Sequence, residues 1–152
     1  QHAHAATHRP ALLFGDLDTF PPDDASALIG RAAAALSPGG SLLLEVHTRR
    51  AVEDIGRAPA GRRAMDAGLF SATPHVVEQA ATWDEATGTA VWAATITHPD
   101  GHTESHSITT QARELAGYEP MLRTAGLGDV AAHPGFGPVV DPAFVVLTAV
   151  RT

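Results

Sequence analysis

The sequence predicts an α/β chain: a parallel strand–helix–strand unit, then an antiparallel hairpin sheet, then a return to helix and strand. Three observations carry this reading. An amphipathic helix pattern lies between two short apolar runs. One of those runs, "SLLLEV", is apolar without alternation, as suits a strand covered on both faces of a parallel sheet. Two turn-like connections, "EATG" and "PDG", separate three extended stretches.

The opening "QHAHAATHRP", residues 1–10, is polar and unpatterned and reads as an irregular tail. His2, His4 and His8 would meet a metal only if that tail were ordered, which costs entropy. Residues 11–14 form an apolar run that Gly15 and two acids interrupt, so a buried strand followed by a loop is expected. A helix is expected over residues 24–36. Ala25, Leu28, Ile29, Ala32, Ala33 and Leu36 share one helical face. Pro22, Asp23 and Asp24 suit its start, where carboxylates accept unpaired N–H groups and oppose the positive dipole end. Pro38, Gly39 and Gly40 end it, and "SLLLEV" follows. Strand, helix and strand thus form a βαβ unit with a right-handed crossover.

Beyond Thr48, "RRAVEDIGRAPAGRRAMDAG" is weakly helical and broken by Pro59 and glycines. "PHVVEQAATWDE", "TAVWAATITH" and "HTESHSITTQ" are the hairpin strands. "ELAGYEPMLRTAGL" is a helix with Tyr118, Met121, Leu122 and Ala125 on one side, and it requires Pro120 to fall in the first turn. "GDVAAHP" and "AFVVLTAVRT" are closing strands around the loop "PGFGPVVDP".

With 152 residues the chain suffices for one domain with a real core. Its net charge is −7 and all ten basic residues are arginine, with no basic stripe, which argues against nucleic acid as a partner. No apolar run approaches the roughly 20 residues of a membrane span, and no signal peptide opens the chain. The absence of cysteine excludes disulfides, thiolate metal sites and cysteine nucleophiles, and fits a cytoplasmic address. The first residue is Gln, which suggests a piece of a longer chain or upstream processing.

Taken together, these segments resemble the C-terminal half of a class I S-adenosylmethionine-dependent methyltransferase of the small-molecule type. "ALSPGGSLLLEV" is similar to the family's L-x-P-G-G before an apolar strand. "FGDLDTFPPDDASALI" resembles its Tyr-Gly-Glu-Phe-Asn segment, with Asp18 in place of Asn. "YEPMLRTAGLGDV" resembles the helix ending in Ala-Gly-Phe, with Leu127 in place of Phe. "EQAATWDE" is similar to a Glu-x-x-x-Trp-Asp segment in a hairpin insertion.

The resemblance covers residues 11–152 and implies the last four strands of a seven-stranded Rossmann-like sheet, the final one antiparallel and inserted between its neighbours. The Gly-rich loop and the acid that hold the cofactor in this family lie upstream of the matching part. No G-x-G-x-x-G occurs here, and "GFG" at 135–137 sits in a late loop that follows no strand-to-helix turn. The strand at 11–14 would then be an apolar edge. It is expected to be covered by the missing N-terminal half, a partner chain or a second copy.

By resemblance, Phe14, Gly15 and Asp16 border the methylthio group of S-adenosylmethionine, and Asp18 and Phe20 shape the pocket of a small-molecule acceptor. Glu45, His47 and Thr48 end the next strand at the same sheet edge, where open α/β sheets place ligands. His47 is the candidate base, and Glu45 and Thr48 are candidate substrate contacts. The plainer alternatives are turn and cap residues for Asp18 and Phe20, and backbone hydrogen bonding for Glu45. Trp83, on the first hairpin strand, either walls the substrate pocket or belongs to the core. His98, His102 and His106 surround a turn but lack a third ligand of fixed geometry, so no metal site is expected.

The implied function is in-line methyl transfer to a small acceptor, with this chain supplying the acceptor side. One alternative is a non-catalytic methyltransferase-like module that binds a ligand or partner. Another is an α+β ligand-binding domain built around Trp83 and Trp92, which the continuous "SLLLEV" strand disfavours.

Overall fold

The computed structural model describes residues 10–135 and 140–152. His2, His4, His8 and part of the "GFG" segment lie outside the described residues. The chain divides into two compact units, Val52–Gln111 and the flanking residues up to Ala51 together with Ala112–Thr152.

The flanking unit carries a four-stranded sheet. β1 (Ala11–Leu12) runs parallel to β2 (Ser41–His47), with Ala11 opposite Leu43 and Leu12 opposite Leu44. α1 (Pro22–Ala34) joins them, so the expected strand–helix–strand unit is present. The helix starts at Pro22, whose missing N–H is harmless in the first turn, and Asp23 and Asp24 follow. β7 (Leu127–His133) and β8 (Phe144–Arg151) complete the sheet in the order β1-β2-β8-β7. β8 is antiparallel to both its neighbours, as the resemblance implied. α3 (Leu115–Thr124) precedes β7.

Three expectations for this unit need correction. β1 is shorter than residues 11–14, because the chain curls after Leu12. The N–H of Phe14 donates to the Glu45 carboxylate at 2.7 Å, and that of Gly15 donates to the Glu45 carbonyl at 3.1 Å. Phe14 and Gly15 consequently take positive φ of 57° and 68°.

β2 is buried fully on one face only. Leu42, Leu44 and Val46 pack with Ala25, Ile29 and Ala33 of α1 and with Tyr118 and Leu122 of α3 in a single cluster. Both helices therefore cover the same face, and Ser41, Leu43, Glu45 and His47 on the other remain half-buried. Pro120 lies inside α3, past its first turn. It cannot donate to the Ala116 carbonyl, and the buried Tyr118 and Leu122 hold the helix in spite of that loss.

α2 (Arg49–Gly56) follows β2, and Thr48 starts it by accepting the Ala51 N–H at 3.2 Å. The second unit is a meander of β3 (Gly61–Met65), β4 (His75–Asp84), β5 (Thr89–Thr97) and β6 (Thr103–Gln111), paired antiparallel in that order. β3 lies within the stretch expected to be weakly helical. Its run "GRRAM" is mostly exposed and shows no apolar alternation, so nothing in the pattern marks it as a strand. Along β4 the odd residues turn inward, placing His75 and Val77 on the same face as Trp83. Val77, Ala94 and Ile96 form the buried cluster, with Met65, Phe70 and Trp92 packed on it. Among the described residues no helix is long and apolar enough to cross a membrane.

Candidate functional site

The carboxyl ends of β1 and β2 lie side by side, and the residues that leave them build one polar cluster. A single 3-10 turn, Asp16–Thr19, follows β1 and turns Asp18 inward until it is 1% exposed. An isolated carboxylate at that depth would be costly by several kcal/mol. Four donors converge on it instead. Oδ2 accepts the His47 backbone N–H at 2.8 Å and faces His47 Nδ1 at 3.3 Å. Oδ1 accepts from Arg113 Nη1 at 3.2 Å and from the Tyr118 hydroxyl in a short hydrogen bond.

Arg113 is the counter-ion, and its side chain is 11% exposed. The same guanidinium donates to the carbonyls of Leu17, within the turn, and Phe20, just past it. Burial first, then the charge of Asp18, pushes the Tyr118 phenol far above its ordinary range, so this hydroxyl remains a donor.

The carboxylate accepts only, so His47 Nδ1–H is the donor of their contact, and in the neutral ring Nε2 carries the lone pair. The ring is held on its other sides too. Phe144, opposite His47 on β8, lies 4.7 Å away between ring centroids. A Cβ placed on Gly15 would come within 2.0 Å of the imidazole, so glycine is demanded there by the ring as well as by the positive φ. The result is an imidazole held in direction at the carboxyl end of β2, the side on which open α/β sheets generally place ligands.

The sequence-predicted residues occupy distinct places around it. Phe14, Gly15, Asp16, Asp18, Phe20, Glu45, His47 and Thr48 all fall in this unit, at the ends of β1 and β2. Phe14 is 74% exposed and Phe20 40%, and both offer aromatic surface. Asp16 is exposed as well. Gly15 is buried under His47.

The carboxylate of Glu45 holds the turn after β1, which is the backbone role weighed above. Thr48 caps α2, and its hydroxyl donates to the Pro142 and Ala143 carbonyls. Asp18 lies beneath the surface and serves His47. Trp83 belongs to the hairpin unit, half-buried, with its indole N–H donating to Glu85 at 2.7 Å. Sequence reasoning missed Arg113 and Phe144 and took Tyr118 for core alone. No local pattern marks Arg113. Phe144 becomes visible only once β8 is registered against β2.

No protein-family model and no curated protein matches the chain. Solved structures do. An S-adenosylmethionine-dependent methyltransferase from Clostridium acetobutylicum matches with a TM-score of 0.70 at 9% identity, over 94% of this chain and 57% of its own. The sugar N-methyltransferase KedS8 from Streptoalloteichus matches with a TM-score of 0.67 at 13% identity, over 94% of this chain and 55% of its own. An amino pentose methyltransferase from Micromonospora echinaspora, of calicheamicin biosynthesis, gives 0.60 at 16% identity, over 95% of this chain and 58% of its own. The fold is therefore that of the C-terminal part of a Rossmann-like methyltransferase, and the chain spans little more than half the length of the structures it matches.

Proposed function

We propose that this chain supplies the acceptor side of a methyl transfer from S-adenosylmethionine to a small molecule, with His47 as the base. The observation that supports this most is the fixed imidazole. Asp18 orients it from below, Phe144 and Gly15 confine it, and Nε2 carries the lone pair.

The cofactor, when bound, brings a methyl group on a sulfonium, which is already a good leaving group. The exposed Phe14 ring and the Asp16 carboxylate, at the end of β1, fit one wall of its site. The Gly-rich loop that would complete the site is not in this sequence. His47 Nε2 takes the proton from the acceptor's O–H or N–H as the acceptor attacks. Asp18 stabilises the imidazolium so formed, while Arg113 and Tyr118 hold the Asp18 carboxylate in place. Phe14 and Phe20 exclude water from the reacting atoms. The half-buried face of β2 and the edge at β1 are where the cofactor-bearing half, a partner chain or a second copy would pack.

The test uses the protein carrying its cofactor-binding half. His47→Ala should lower turnover by about 10²–10⁴-fold, the usual contribution of a positioned general base, while cofactor affinity stays close to wild type. A variant with unchanged turnover and pH profile removes His47 from the chemistry. The missing Gly-rich loop favours a second reading, a non-catalytic module of the same fold that binds a ligand or a partner. Absence of any methyl transfer by the wild-type protein would favour that one.

A further inference from the structure

The hairpin unit contains a histidine that its own fold leaves half used. His75 opens β4 and is 4% exposed. Its Nδ1 lies 2.8 Å from the Thr73 carbonyl, which only accepts, so Nδ1–H is the donor. In the neutral ring Nε2 then presents a lone pair. Among the described residues Nε2 is the one buried side-chain nitrogen or oxygen with no hydrogen-bond partner. Such a group is worth explaining, because an unpaired buried polar atom costs about 1–3 kcal/mol.

His75 also lines a cavity of about 320 Å³, formed by the end of β3, the start of β4 and the turn between β5 and β6. That volume lies at the lower end of the range, about 300–1,000 Å³, in which small-molecule sites fall. Met65, Pro74, Val76 and Pro99 give it apolar walls, and Asp66 and His98 are its ionisable members besides His75. The lining holds a carboxylate and no arginine. The Met65 methyl and His75 Cε1 lie 2.8 and 3.8 Å from the point where a Cβ on Gly68 would stand. A flexible thioether therefore sits beside the ring and can yield to a guest. Glu104 faces His98, His102 and His106, at 3.0, 3.8 and 3.6 Å. The first of these contacts holds His98 at the wall.

We propose that this cavity is a binding site for a compact amine. Its N–H donates to His75 Nε2, its cationic charge faces Asp66, and its hydrocarbon part lies against Met65, Val76 and Pro99. An alcohol of the same shape satisfies Nε2 but not Asp66 and binds more weakly. A carboxylate supplies neither the donor nor the charge. This site lies wholly within Val52–Gln111 and does not rest on the methyl-transfer reading.

The test is a titration of the isotopically labelled full chain with cyclohexylamine, cyclohexanol and cyclohexanecarboxylate, followed through the imidazole nitrogen resonances of His75 and the Met65 methyl. The expected result is a saturable shift of Nε2 and of the Met65 methyl with the amine, a weaker one with the alcohol, and none with the carboxylate. Asp66→Asn, an exposed position, should weaken the amine several-fold and leave the alcohol unchanged. His75→Gln should abolish both where the Ile96 resonances show an intact core. No saturable shift at His75, equal response to the carboxylate, or indifference of the amine to Asp66→Asn would overturn the proposal, even if His75→Gln fails to fold.

Discussion

Gly15 answers to two constraints at once, its φ of +68° and the His47 ring stacked where a side chain would begin. Gly15→Ala should therefore cost about 1–3 kcal/mol, the range for overpacking, and should push the imidazole off Asp18. Denaturant unfolding reads the first effect, and loss of the Nδ1–H proton signal of His47 reads the second. An alanine variant with native stability and an unmoved ring would mean that the backbone turn, not the ring, sets this corner.

Tyr118 gives a second test, unusually clean because it is the only tyrosine in a chain with no cysteine and no lysine. Its phenol is held above the ordinary value near 10 by burial and by Asp18. The folded state therefore keeps a proton that the unfolded chain releases, and stability is full below about pH 10 and falls as pH rises beyond it. Urea midpoints should drop steadily as pH rises past about 10, with tyrosinate absorbance appearing only on unfolding, whereas Tyr118→Phe should show a much flatter profile.

At this scale the sequence showed where His47 and Glu45 would stand, because both sit at the end of an obvious strand. It did not show what Asp18 does. Its partners Arg113 and Tyr118 lie 95 and 100 residues away, and no local spacing encodes such contacts.

Among the elements, α1 and the Ser-Pro-Gly-Gly stop depend on the last strand for completion. Arg151 Nη1 donates to the Ala33 and Ala34 carbonyls at 2.9 and 3.0 Å, and to that of Leu36. They lie at and just past the C-terminus of α1, where carbonyls run short of helical donors and the dipole favours a cation; the Ala33 carbonyl also accepts the Leu36 N–H at 3.1 Å. The backbone closes the same joint, since Gly39 N–H donates to the Arg151 carbonyl and Arg151 N–H to that of Gly40. Arg151→Met keeps most of the stem and removes the donors. It should lower stability by about 1.5–3 kcal/mol, the usual range for a hydrogen bond to a charged group. Thermal unfolding measures it, and a change indistinguishable from zero would show that water satisfies those carbonyls equally well.

The elements read most easily were those whose pattern matched their burial. α1 shows its apolar stripe, β2 and β8 their apolar runs, and β4 to β6 their turns. β3 escaped because it is an exposed strand of Gly, Arg and Arg, with no apolar period to give it away. α3 was read correctly as a helix but not where Pro120 falls in it, since tertiary packing of Tyr118 and Leu122 overrides the local penalty.

For the whole molecule, what the described residues leave uncovered is more telling than what they bury. Both helices of the flanking unit's core lie on one face of its sheet, and the other face of β2 is only half-buried. β1 ends the sheet order, and Leu13 and Phe14 beside it are 37% and 74% exposed. A parallel sheet is ordinarily covered on both faces, and an open apolar edge pairs with whatever strand it meets.

The isolated 152-residue chain should therefore self-associate as its concentration rises, as seen by sedimentation velocity. Placing charge on the edge with Ala11→Lys and Leu13→Lys should shift it toward monomer with little change in melting temperature, because both positions are exposed. A single monomeric species across the accessible range, with the wild-type edge intact, would show that this chain covers its own edge. The half-length match to larger methyltransferases would then describe a self-sufficient fold and not one side of a larger sheet.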